Sequence, residues 1–241
     1  MATIASNLPS DKRETLGDDL AGIFSFLLDP AGAARRLDRK WFWVAPLLIL
    51  SIASAIYTAV QAPMVAHFLE TSPTPANVTP AQYAQQMKMS AVIYRFMPLV
   101  MPIMTAIIAL IQAGILMASS SVLAVRARFL QIFNLVAGLC IISTLQVLAW
   151  VAILKAKHEI ASMADLKPPL GLDIILPAGA NKFLLATLSY FSIFQIWWIV
   201  MAILVFSIAF RTTKGKAAGA VIPLVFLGLL LSLVGAIFQK G

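Results

Sequence analysis

The sequence predicts an all-α polytopic membrane protein: five transmembrane helices preceded by a short amphipathic interfacial helix. Three observations carry this. The 241 residues are 61% hydrophobic and 12% charged, against about 25% charged in an average soluble chain, and the mean hydropathy is +0.91. Five runs free of Lys, Arg, Asp and Glu, at 41–66, 96–125, 129–154, 183–210 and 217–239, each exceed the roughly 20 apolar residues that span a hydrocarbon core. The basic residues behind the net charge of +8 sit at the ends of those runs, where topology signals belong. Without a zinc-finger, helix-turn-helix or aromatic RNA-binding signature they do not indicate a nucleic-acid partner.

Residues 1–15 form a polar N-terminal tail. Residues 1–19 lack the apolar stretch of a secretory signal, so the first span is expected to serve as an uncleaved signal-anchor. Residues 16–40 form an amphipathic, basic, cytoplasmic lead-in. Leu16, Leu20, Ile23, Phe24, Leu27 and Leu28 fall on one stripe at helical spacing, and Asp18 and Asp19 suit the positive end of the helix dipole. At 13 residues, 16–28 is too short to span, and it is expected to lie in the interface or pack under the bundle. Asp29 can cap a second short helix that starts at Pro30. The following cations Arg35, Arg36, Arg39 and Lys40 run into Trp41, Phe42 and Trp43. Cations meet lipid headgroups and amphipathic rings rest at their depth, so Arg35, Arg36, Arg39, Lys40, Trp41 and Trp43 are the expected headgroup anchor.

The transmembrane domain, 41–241, is expected to contain spans at about 43–62, 99–122, 129–153, 187–210 and 217–238. Thr79-Pro80 reads as a cap and first helical residue, with the helix continuing unbroken into span two through Pro98 and Pro102. Asn77-Val78-Thr79 fits a glycosylation acceptor only as a short, weak pattern. The loop at 155–182 carries a proline-broken apolar stretch that can rest on the membrane surface. With five spans, one side receives eleven Lys and Arg and the other seven, and the tight turns at 126–128 and 211–216 are purely basic. The positive-inside rule then puts the N-terminus in the cytoplasm and the C-terminus outside.

Inside the runs there is no ionisable Asp, Glu, Lys, Arg or His, which counts against an ion-coupled transporter or voltage sensor. The polar inventory there includes Gln112, Gln131, Asn134, Gln146 and Gln195 with Ser and Thr. These side chains can join helices by hydrogen bonds or line a substrate path. His158-Glu159 begins like a zinc-protease helix, but Ser162 stands where the second His is needed. Gly215-Lys216 lacks the upstream glycine and following Ser or Thr of a phosphate loop. Neither catalytic residues, a metal site nor a cofactor is expected. Cys140, the only cysteine, cannot form an internal disulfide and reads as a small core residue. The positive pattern is one of small residues: Gly215, Gly219, Gly228, Ser232 and Ala236 form a helix-packing or oligomer face at the spacing that lets helices approach in lipid.

Over about 20–238 the layout resembles the Yip1 domain membrane proteins, particularly the bacterial type. The resemblance rests on FSFLLDPAGAARRLDRKWFWVAPLLIL before span one and on the closing hairpin FQIWWIVMAILVFSIAFRTTKGKAAGAVIPLVFLGLLL. The Asp-Leu-Tyr-Gly-Pro segment of eukaryotic members is absent, so a Rab-GTPase partner is not carried over. The family implies a five-span bundle with a cytoplasmic N-terminus and, in its eukaryotic members, a role in membrane organisation or trafficking, with no settled biochemical role in bacteria. The expected function is that of a non-enzymatic integral membrane protein acting by association with lipids, protein partners or copies of itself. The alternative is a permease or accessory subunit of an exporter whose ATPase is another chain.

Overall fold

The computed structural model describes residues 16–71, 79–157, 165, 170–177 and 180–238. Among the described residues eight α-helices follow one another: α1 (Leu16–Leu28), α2 (Pro30–Arg36), α3 (Val44–Thr71), α4 (Pro80–Val122), α5 (Phe129–Lys157), α6 (Lys182–Tyr190), α7 (Ile193–Ala209) and α8 (Lys214–Phe238). A 3₁₀ turn at Leu172–Ile175 precedes α6. Among the described residues the only extended pairing is an isolated bridge between Gly171 and Ser192. Four helices, α3, α4, α5 and α8, contain segments long and apolar enough to cross a membrane. The fold is that of a helical integral membrane protein.

The central helix is α5. Its residues Ile132–Ile142 are buried without interruption, the pattern of a helix packed on every side. It contacts α3, α4, α7 and the lead-in helix α1. α4 starts where the sequence places it: Thr79 and Gln82 form a reciprocal capping box and Pro80 takes the first turn, satisfying two backbone donors that have no partner inside the helix. The helix then runs 43 residues through Pro98 and Pro102.

Expected span four, 187–210, departs from the prediction. It is not one helix: α6 ends at Tyr190, Phe191 leaves helical geometry, and Ser192 restarts the chain as the N-cap of α7, its hydroxyl accepting from the Gln195 backbone N–H. A Ser side chain offers the backbone this alternative to a continuing helix. Ser192 also bridges Gly171, and the Ile193 N–H donates to Leu170 O at 3.4 Å. At 17 residues, α7 is about 25 Å long, shorter than a hydrocarbon core of about 30 Å.

The lead-in is an antiparallel helical hairpin, and it packs into the bundle. Asp29 caps α2 by accepting from the Gly32 N–H at 2.9 Å, as expected. Gly22 leaves room for the Arg36 side chain, and Gly32 faces Ser25 and Asp29. The buried face of α1 differs from the predicted stripe. Ile23 is buried, but Phe24 is 60% exposed and Phe26, which the stripe omits, is fully buried. Phe26 stacks on Phe42 at 5.6 Å, and its ring occupies the space that a side chain on Gly138 would fill. Gly138 lies nine residues past the start of α5, or about 14 Å along its axis. From the opposite side, the Trp197 indole N–H donates to Leu27 O at 2.9 Å.

The three basic segments share one end of the bundle. Asp38 forms an ion pair with Arg128 in the α4–α5 turn. Leu123 at the end of α4 lies against Gly219 at the start of α8. Two helices at this end close without glycine. Ala124 (φ 54) and Arg211 (φ 47) take left-handed geometry, and paired bonds follow: Val125 N–H to Ser120 O with Ala124 N–H to Ser121 O, and Thr212 N–H to Ser207 O with Arg211 N–H to Ile208 O. This is the pattern that satisfies the last carbonyls of a helix.

Candidate functional site

A groove of about 620 Å³ lies among α3, α4, α5, α6, α7 and α8, within the range of small-molecule sites. Its α4 wall is one helical face, with Met97, Met101, Met104, Thr105, Ile108 and Gln112 at i, i+4, i+7, i+8, i+11 and i+15. Leu50 and Ser54 come from α3, Cys140 and Ser143 from α5, Tyr190 from α6, Gln195 and Trp198 from α7, and Leu224, Val225 and Gly228 from α8. Val100, Met104 and Ile108 are exposed, so the groove opens sideways along α4, toward lipid.

Its inner end lies at one depth on four helices. Ser54, Gln112, Cys140 and Leu224 are each ten or eleven residues from the end of their helix at the basic face, or about 15 Å. That is near the middle of a hydrocarbon core of about 30 Å. Met97 lies fifteen residues farther from that face than Gln112, so the groove continues into the opposite half.

The break in span four builds the wall farther from the basic face. Tyr190 lodges against Gly228, where an added Cβ would fall 2.5 Å from the phenol oxygen. The Gln195 amide donates to that oxygen at 3.4 Å. Ser232 holds α6 to α8 by donating to Ala186 O at 3.0 Å. The Gln146 amide reaches the Ser192 hydroxyl at 3.3 Å. Among the described residues no Lys, Arg, Asp, Glu or His lines the groove; its polar groups are mainly neutral amides and hydroxyls. Among the described residues, no group of three His, Cys, Asp or Glu side chains comes together as metal ligands do. His158 lies outside the described residues.

The five amides named from sequence divide by role. Asn134 is fully buried and donates to Leu37 O at 2.9 Å and Arg39 O at 2.7 Å, fastening the end of the lead-in to α5. Gln131 donates to Asp38 at 2.9 Å. Gln146 serves the helix break. Gln112 and Gln195 face the groove. The sequence alone does not nominate the Met face of α4, Ser54 or Tyr190, and Trp198 reads there as lipid-facing or core bulk, although the periodicity of Met97, Met101, Met104, Thr105 and Gln112 is a readable signal.

The expected headgroup anchor is split. Arg35, Lys40 and Trp41 are exposed, and the Lys40 ammonium sits over the Trp41 ring at 5.5 Å. Arg36 lies over Gly22, and Arg39 lends its carbonyl to Asn134. Trp43 turns inward onto Phe133, with ring centroids 5.6 Å apart. Of the small residues on α8, Gly219, Gly228 and Ser232 meet Leu123, Tyr190 and Ala186 of the same chain. Ala236 is buried and Gly215 is exposed.

Compared with known proteins, the chain matches no family model, no curated protein and no solved structure.

Proposed function

We propose that this chain is a non-enzymatic, Yip1-like integral membrane protein that works by associating with lipid through the lateral groove. The observation that carries the reading is the groove itself: it opens toward lipid, has an apolar entrance and ends on neutral polar groups at mid-depth. The exposed Arg35, Lys40 and Trp41 beside the basic turns would hold the same end against anionic headgroups. A photoactivatable acyl chain supplied to membranes should crosslink to Met101 and Met104 at the entrance. Replacing Val100 and Met104 by Trp, to fill the entrance, should lower that labelling about fivefold or more while labelling of the exposed Phe226 on α8 stays constant. Equal labelling at both sites would leave the groove as ordinary lipid-facing surface.

The grouping of basic segments at one end supports a cytoplasmic N-terminus, five crossings and an outside C-terminus in a bacterial inner membrane. In this reading α6 and α7 together make the fourth crossing. In a Cys140→Ala background, a cysteine at Ala127 or Lys214 is expected to resist an impermeant thiol reagent in intact cells, whereas one at Gln82 reacts. The reverse pattern would invert the topology.

A second reading, a permease component paired with a separate ATPase, is favoured by one observation. The helix break at Phe191–Ser192 adjoins the groove, as broken helices adjoin the substrate sites of transporters. Co-purification with an ATPase in mild detergent would support it.

A further inference from the structure

We propose that the groove binds a neutral long-chain lipid of the quinone type, one that carries carbonyl oxygens inside the hydrocarbon core. The inference rests on the lipid-association reading above and names the class of lipid.

The first ground is unmet hydrogen bonding. Ser54, Thr105, Gln112 and Ser143 face the groove, and their side chains make no hydrogen bond among the described residues. A polar group left unpaired within a bilayer is costly, and a hydrocarbon tail supplies neither donor nor acceptor. The occupant therefore brings polar atoms of its own. The second ground is charge. With no Lys, Arg, Asp, Glu or His in the lining among the described residues, a phosphate or ammonium headgroup at this depth would be buried without a counter-charge.

Depth is the third ground. Gln112 and Ser54 sit about 15 Å from the basic end of their helices. The ester and headgroup oxygens of a phospholipid belong to the interface, so its core portion is hydrocarbon. A quinone ring carries its oxygens into the core. Fourth, the lining offers donors: the amides of Gln112 and Gln195 and the hydroxyls of Ser54, Thr105, Ser143 and Tyr190 can all donate to carbonyl oxygens. Trp198 adds an aromatic wall, and the flexible thioethers of Met97, Met101 and Met104 suit an irregular tail.

The test uses the full chain in a neutral detergent with decylubiquinone as the probe. Trp198 is the one tryptophan in the groove lining, so binding is read as quenching of tryptophan fluorescence. The expected result is saturable quenching whose saturable part disappears in Trp198→Phe. Gln112→Leu with Gln195→Leu should raise the half-saturation concentration about tenfold, as expected for two lost hydrogen bonds. Phe226→Leu, on the exposed face of α8 outside the groove lining, should shift it by less than about twofold. If the double variant fails to fold, as judged by gel filtration and circular dichroism, Thr105→Val with Ser54→Ala carries the same expectation.

Quenching that rises linearly and equally in all variants would mean partition into detergent or a merely hydrated groove, and would overturn the proposal. Displacement of the probe by diacylglycerol or phosphatidylethanolamine at equal concentration would overturn the quinone-type assignment while leaving a lipid-binding groove. Failure of this test together with failure of acyl-chain crosslinking would remove both readings.

Discussion

Gly138→Ala is expected to drive the α1–α2 hairpin out of its seat in the bundle. A methyl group at this position would lie 2.3 Å from the Phe26 Cζ atom and within 2.6 Å of two further ring carbons. Phe26 cannot swing aside, because it is fully buried and stacked on Phe42. Overpacking of this kind costs about 1–3 kcal/mol, and the hairpin yields first because it is short and enters from one end. Amide exchange across 16–28 should accelerate while α5 and α8 stay protected. Phe26→Ala alone should also loosen the segment, by about 3–5 kcal/mol of lost packing. The two changes share one space, so the double variant should be less destabilised than the sum by at least ~1 kcal/mol. Additivity within ~0.5 kcal/mol would mean that Phe26 does not occupy the Gly138 notch.

Asn134→Leu is expected to release the junction between the lead-in and α3. The change removes the donor to the carbonyls of Leu37 and Arg39, and each acceptor left unpaired in the interior costs about 1–3 kcal/mol. Fast amide exchange should spread through 37–44, with protection retained at α7 and α8. Asn134→Asp should be at least as damaging, since it removes the same donor and places a carboxylate in a buried site. Retained protection at 37–44 in both variants would show that the Trp43–Phe133 contact holds this junction unaided. The pair of substitutions separates the two anchors of the lead-in, because Gly138 acts on its tip and Asn134 on its base.

What could be read from the residues was local. Hydropathy located the apolar helices because a bilayer imposes length and apolarity on each crossing independently. Capping chemistry located the starts of α2 and α4, since Asp29-Pro30 and Thr79-Pro80 act on backbone donors within three residues. The small residues of α8 were legible for the same reason: absent side-chain volume is a property of the sequence, whatever fills it. Gly228 and Ser232 met α6 of the same chain, a partner that spacing alone does not specify.

The rest depended on contacts between residues distant in sequence. The uncharged run 183–210 reads as one helix, and only the bridge from Ser192 to Gly171 and the lodging of Tyr190 against Gly228 show why it breaks. Periodicity nominated a stripe on α1 that contained Phe24, but the notch at Gly138 selected Phe26, because packing follows the shape of the receiving surface. The left-handed caps at Ala124 and Arg211 carry no glycine signal; paired local backbone bonds accompany a conformation that is costly for side-chain-bearing residues. The groove belongs to this second class as well. Its lining is gathered from six helices between Leu50 and Gly228, so its amides and hydroxyls become one site only where those helices meet.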